Sequence, residues 1–131
     1  MIRLSWAGFD SAVAYVADRC RGIELSGVYG VPRGGLPLAV ALSHRLGVPM
    51  VDAPGARVLV VDDIYDSGQT IRGLMERHPG AGPFWVWATR EFETRGYRSV
   101  LNDIGSEWVL FPWEVHANAE EDRRDYEARR A

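Results

Sequence analysis

A chain of 131 residues and 14.6 kDa with 47% apolar residues is the size of one domain, and it can bury a core without staples. Its 15 basic residues against 18 acidic, a net charge of −3 and a pI near 5.6 disfavour a main role in gripping nucleic acid or an anionic membrane. One cysteine excludes a disulfide framework or a Cys-rich zinc module, and no apolar run is long enough to span a bilayer. The opening MIRLSWAGFD lacks the apolar stretch of a secretory leader, so the expectation is a cytoplasmic protein with no membrane partner.

Residues 5–21 read as a helix, because Phe9, Val13, Val16 and Cys20 recur at helical spacing behind a capping Ser5 or Asp10. Cys20 on that apolar face reads as an inert core thiol. Gly27–Val31 is a short apolar strand running into Pro32-Arg33-Gly34-Gly35, and residues 36–46 form the next helix, with Pro37 in its first turn and Gly47 past its end. Val48–Val51 is a short candidate strand. Arg57–Val61 is a clearer one, since a continuous apolar run suits burial on both faces. A third helix starts near Thr70 and stops before Pro79; Phe84–Ala88 and Trp108–Phe111 are further strands. Trp85 and Trp87 read as packing residues, and Glu91–Arg98 as a polar loop. Residues 118–131 read as a charged helical tail on a solvated face, with Glu120/Arg124, Arg123/Glu127 and Asp125/Arg129 four apart. His44, His78 and His116 stand apart from one another, which makes a zinc site improbable. Strands alternating with helices predict a single α/β domain over residues 1–131: a doubly wound parallel sheet of about five strands.

The segment that carries chemistry is Val58-Leu59-Val60-Val61-Asp62-Asp63-Ile64-Tyr65-Asp66-Ser67-Gly68-Gln69-Thr70. An apolar strand delivers two adjacent carboxylates at its C-terminal end, where open α/β sheets bind ligands. The turn into the following helix offers backbone N–H groups and two hydroxyls to an anion. Acids just upstream would repel a bare phosphate. They make sense toward a ligand that also presents hydroxyls or brings Mg²⁺, and a sugar phosphate does so.

This segment resembles the phosphoribosyl-pyrophosphate (PRPP) signature of type I phosphoribosyltransferases, and it matches at every position. Gly30-Val31-Pro32-Arg33-Gly34-Gly35-Leu36 is similar to that family's pyrophosphate loop. Trp108-Val109-Leu110-Phe111-Pro112-Trp113-Glu114 and the opening Leu4-Ser5-Trp6 resemble the bacterial xanthine–guanine, or 6-oxopurine, subgroup. The likeness spans about residues 3–115 and leaves the charged tail outside.

The resemblance implies Mg²⁺-dependent transfer of phosphoribose from PRPP to guanine, xanthine or hypoxanthine, releasing pyrophosphate and giving a nucleoside monophosphate in purine salvage. It implies that Asp66, Ser67, Gly68, Gln69 and Thr70 cradle the 5′-phosphate, with Asp66 also the general base. Asp62 and Asp63 would face the ribose hydroxyls and, directly or through water, the Mg²⁺. Arg33, Gly34 and Gly35 would hold the pyrophosphate. Arg90, Trp108 and Val109 would receive the purine, and Glu114 is a weaker metal candidate. A small C-terminal hood over the base and a homo-oligomer, dimer or tetramer, are further implications.

Two positions depart from the family pattern. Arg90 stands where the family has a lysine, and the two cations are not interchangeable. Only six residues separate Val51 from Val58, where the family carries a long closing loop. Three accounts of that short segment stand: slow turnover with an open site, a cover supplied by residues 91–107 or a neighbouring subunit, or loss of transfer in a non-catalytic PRPP or nucleotide sensor. A phosphoribosyltransferase for a different base is a further alternative.

Overall fold

The computed structural model describes residues 1–130, over which the chain forms six strands and four helices. These are β1 (Ile2–Arg3), α1 (Trp6–Cys20), β2 (Gly27–Gly30), α2 (Leu36–Leu46), β3 (Val58–Tyr65), α3 (Gln69–Arg77), β4 (Phe84–Thr89), β5 (Arg98–Leu101), β6 (Val109–Leu110) and α4 (His116–Arg130). A parallel four-stranded sheet runs β2-β3-β4-β5, and β1 pairs with β6 in a separate parallel ribbon. No helix among the described residues is long and apolar enough to cross a membrane.

The strand alternation explains the two-layered core. Leu59 and Val61 of β3, with Trp85 and Trp87 of β4, pack against α1 and α2. Their sequence neighbours Val58, Val60, Phe84 and Val86 pack against Ile71 and Leu74 of α3 on the other face. Both central strands are therefore apolar without a break, as a sheet covered on both sides requires. Trp85, Trp87 and Cys20 lie in the core, and burial pushes the Cys20 thiol up from its ordinary value. Ser5 caps α1 by accepting from the Gly8 N–H at 3.0 Å, and Gly47 ends α2 in the left-handed region at φ 68°.

Four elements differ from the sequence expectation. β3 does not stop at Val61 but runs through both aspartates to Tyr65, because Asp62, Ile64 and Tyr65 continue the ladder with Val86, Ala88 and Thr89. Val48–Val51 contributes only the isolated bridge Val28–Met50; Pro49, with no N–H, interrupts any longer pairing. The polar stretch 91–107 contains the edge strand β5, whose polar groups find local partners: the Ser99 N–H donates to Glu93 Oε2 at 2.8 Å. The strand expected at 108–111 is reduced to β6. It leaves the main sheet for the two-residue β1, so the sheet has four strands rather than about five.

Candidate active site

β2 and β3 are parallel neighbours, so both end on the same side of the sheet, and each leads through a short turn into a helix. The 31–35 turn stays close to β3, where the Val31 N–H donates to Val61 O at 2.9 Å. A Cβ at Gly34 would strike the Asp63 carboxylate, so only glycine lets this backbone approach the acid. The second turn hinges on Gly68, at φ 86°, where a Cβ would strike the Tyr65 hydroxyl. No side chain caps α3 at Gly68; Ser67 Oγ accepts only the Gln69 N–H, at 3.4 Å. The start of α3 is thus suited to an anion. It opens on a cavity of about 270 Å³ bordered by Gly34, Asp62, Asp63, Asp66, Ser67 and Thr70.

Arg72, which the sequence reading passed over, fixes this turn. Its Nη2 donates to Ser67 O at 2.8 Å and its Nε to Gly68 O at 3.3 Å. Tyr65 was missed too: its ring stacks on Tyr97 with centroids 4.0 Å apart, and its hydroxyl lies over Gly68. The signal for Arg72 was its place one turn inside α3, four residues from Gly68, and the polar N-terminal turn obscured it.

Asp62 and Asp63 are adjacent acids on one strand, and Asp62 Oδ1 accepts the Asp63 N–H at 2.8 Å. Burial pushes Asp62 up to about 8, with the charge of Asp63 adding to it, and burial raises Asp63 as well. Neither forms an ion pair with a basic side chain among the described residues. Such a pair suits a cation or ligand hydroxyls. No three His, Cys, Asp or Glu side chains gather among the described residues. The donor set therefore fits Mg²⁺ in the way that ion is often held, by one or two carboxylates with ligand oxygens and water completing the shell.

The other side of the site is assembled from separated segments. Arg90, at the end of β4, is buried; its Nε donates to Asp66 Oδ1 at 2.9 Å and its Nη1 to Gly105 O at 3.0 Å and Glu107 O at 2.6 Å. It ties residues 105–107 to the Asp66 carboxylate. Trp108 pairs with Tyr126 of α4 at 5.3 Å between centroids, and its Nε1 is buried with no hydrogen-bond partner among the described residues. Val109 lies within β6, paired with Ile2. A cavity of about 250 Å³ is bordered by Asp66, Arg90, Trp108, Val109, Glu114 and Tyr126. Glu114 Oε1 accepts the Phe111 N–H at 2.9 Å, closing its own turn, and burial raises this carboxyl with Asp63 and Asp122 adding.

A third cavity, of about 740 Å³, lies between Arg33 and Glu114. All three cavities border Asp63. The chain brings twelve of the expected residues to them, and Gly35 and Gln69 border none. Gly35 is wedged under β3, where a Cβ would meet Val61 O. Tyr126 was not anticipated at the site, and the expectation of a wholly solvated tail fails on its face: Ala119 and Tyr126 are buried. The available signal was the seven-residue spacing of these two in an otherwise polar run.

No family model matches the chain. It is 28% identical over 139 residues to the xanthine-guanine phosphoribosyltransferase of Idiomarina loihiensis, covering 86% of each chain. It is 25% identical over 135 residues to the enzyme of that name from Chromohalobacter salexigens, covering 86% of this chain and 83% of the other. Among solved structures it superposes on a purine phosphoribosyltransferase from Pyrococcus horikoshii with a TM-score of 0.73 at 27% identity, over 87% of this chain and 93% of that one. The Helicobacter pylori xanthine-guanine-hypoxanthine phosphoribosyltransferase shares the fold, with a TM-score of 0.67 at 18% identity over 92% of this chain and 98% of that one.

Proposed function

We propose that the chain, similar in sequence and fold to purine phosphoribosyltransferases, is a type I phosphoribosyltransferase that transfers the phosphoribosyl group of PRPP to a 6-oxopurine base, with Mg²⁺ as cofactor. The observation that carries this reading is the convergence of three cavities on Asp63: an anion seat, an arginine-bordered space and an aromatic-bordered slot. Each suits one part of the reaction, namely the 5′-phosphate, the pyrophosphate and the base.

In this reading the N–H groups at the start of α3 and the hydroxyls of Ser67 and Thr70 hold the 5′-phosphate, and Arg72 keeps that turn in shape. Asp62 and Asp63 accept the ribose hydroxyls and hold the Mg²⁺, which when bound supplies positive charge to the pyrophosphate oxygens. Arg33 and the backbone of Gly34 receive the departing pyrophosphate as negative charge builds on it, while C1 of the ribose acquires oxocarbenium character. Asp66 faces the base slot from the phosphate turn and takes the proton that the attacking purine gives up. Arg90 fixes that carboxylate at 2.9 Å rather than presenting its whole guanidinium to the base. Trp108 and Val109 border the slot. Most of the rate gain comes from holding the two reactants in line.

The short segment before β3 favours a second reading, a PRPP or nucleotide sensor without transfer, because nothing in residues 52–57 is long enough to close over the donor. Purified protein, Mg²⁺ and PRPP, given guanine, xanthine, hypoxanthine, adenine and uracil one at a time, separates the two. Nucleotide from a 6-oxopurine is the expected product. Saturable PRPP binding with no nucleotide from any base gives the sensor reading. Nucleotide from adenine or uracil alone moves the acceptor to another base class. Gel filtration of the same sample tests the proposed homo-oligomer.

A further inference from the structure

Nothing in the chemistry above uses α4, yet one face of it borders the site. Asn118, Ala119 and Asp122 border the large cavity beside Arg33, and Tyr126 and Arg129 border the acceptor slot. From Ala119 on, these positions recur every three or four residues, which with the adjacent Asn118 makes a single stripe of a helix. The opposite face carries exposed ion pairs such as Arg123 with Glu127 at 2.9 Å. A charged fifteen-residue helix has little stability alone, so its docking must come from the stripe. The docking contacts are specific. The Tyr126 ring meets Trp108 at 5.3 Å and 55°, and the Arg90 guanidinium lies 5.0 Å from the same ring. Arg90 in turn holds Asp66, so one continuous set of contacts joins α4 to the acid of the phosphate turn.

We propose that Tyr126, presented by α4, is an acceptor-recognition residue: with Trp108 it forms the aromatic wall against which the base lies, and α4 supplies the cover that residues 52–57 are too short to provide. The proposal rests on the function given above, because the slot is an acceptor site only if a purine is the acceptor. The chemistry is that of planar heteroaromatic recognition: the aromatic side chains of Trp108, Phe111 and Tyr126 and the cations Arg90 and Arg129 at one slot favour a flat, polarizable ring.

The test is calorimetric titration of the full chain with guanosine 5′-monophosphate and with ribose 5-phosphate, the second lacking only the base. Wild type, Tyr126→Ala and Tyr126→Phe are compared, each checked for folding by circular dichroism and thermal melting. The expected result is tighter binding of the nucleotide than of the sugar phosphate in wild type. In Tyr126→Ala the nucleotide loses about tenfold in affinity, the sugar phosphate stays within about twofold, and Tyr126→Phe keeps most of the nucleotide affinity. Equal losses for both ligands would make α4 a mere support and overturn the proposal. So would undiminished nucleotide affinity in folded Tyr126→Ala, which would leave the proposed function standing. Wild type binding both ligands alike would remove the acceptor slot, and with it both the function and this proposal. Should Tyr126→Ala not fold, Tyr126→Leu keeps an apolar anchor for α4 while deleting the aromatic face, and the same comparison applies.

Discussion

The two sides of the site are built by different means. The side proposed for the phosphate is nearly continuous chain: a strand end, a glycine turn and a helix start, with Arg72 bracing the turn from inside. The side proposed for the acceptor is side chains from four places, Arg90 after β4, Trp108 before β6, Glu114 beyond it and Tyr126 on α4, with Arg90 bonded to the carbonyls of Gly105 and Glu107 and to Asp66. A seat made of backbone is specified by a short run of sequence that permits the turn. A slot made of distant side chains is specified only by the fold that gathers them.

Substitutions can sharpen that contrast. The largest effect belongs to Asp66, which both sides share: Asp66→Asn is expected to lower kcat by about 100-fold or more with PRPP binding largely kept. Unchanged turnover would remove its proton role. Arg90→Ala comes next, since it deletes the bonds to Gly105 O, Glu107 O and Asp66 Oδ1. A rise of about tenfold or more in the base KM is expected with a lowered melting temperature, and steady-state kinetics beside a thermal melt would show whether the two move together. Arg33→Ala belongs to the donor side, so it should raise the KM for PRPP by about tenfold and leave the base KM where it was. A matching rise for the base would mean the sides are not separable.

The smallest effect concerns stability alone. The Asp62 carboxyl is raised from 3.8 to about 8 by burial and by Asp63. Between those values the unfolded chain has given up the proton while the folded chain keeps it, so metal-free stability falls as pH rises through that window. Asp62→Asn is therefore expected to melt higher than wild type at pH 8 without metal, with the gap closing toward pH 4. A gap independent of pH would show that this carboxyl pays no ionisation penalty.

Legibility from sequence followed the same division. The apolar run of β3, the acids Asp62 and Asp63 and the Asp66–Thr70 turn could be placed from local chemistry alone, and helix 36–46 was bounded correctly by Pro37 and Gly47. The strand was bounded at Val61, where the apolar run stops, whereas the ladder to β4 carries extended backbone on through both acids to Tyr65. β5 was hidden by its polarity: Arg98 and Ser99 read as loop until Glu93 satisfies both. β1 and β6 are too short to carry a period, and only their mutual pairing makes them strands. Sequence marked Arg90 as a base-side cation but could not show that it ties separate segments together. Its bonds to Gly105 O and Glu107 O depend on a hood conformation that no local pattern encodes. Tyr126 was submerged in charge, because one aromatic in a helix of ion pairs has no partner until the chain folds back on Trp108.

The most direct test of a site divided in this way is a crystal structure of the chain with guanosine 5′-monophosphate and Mg²⁺. The expected complex has the phosphate on the N–H groups of residues 67–70, the ribose hydroxyls toward Asp62 and Asp63, and the base in the slot bordered by Trp108 and Tyr126. A nucleotide whose base lies outside that slot, or whose phosphate sits at Arg33 instead of at the start of α3, would contradict it.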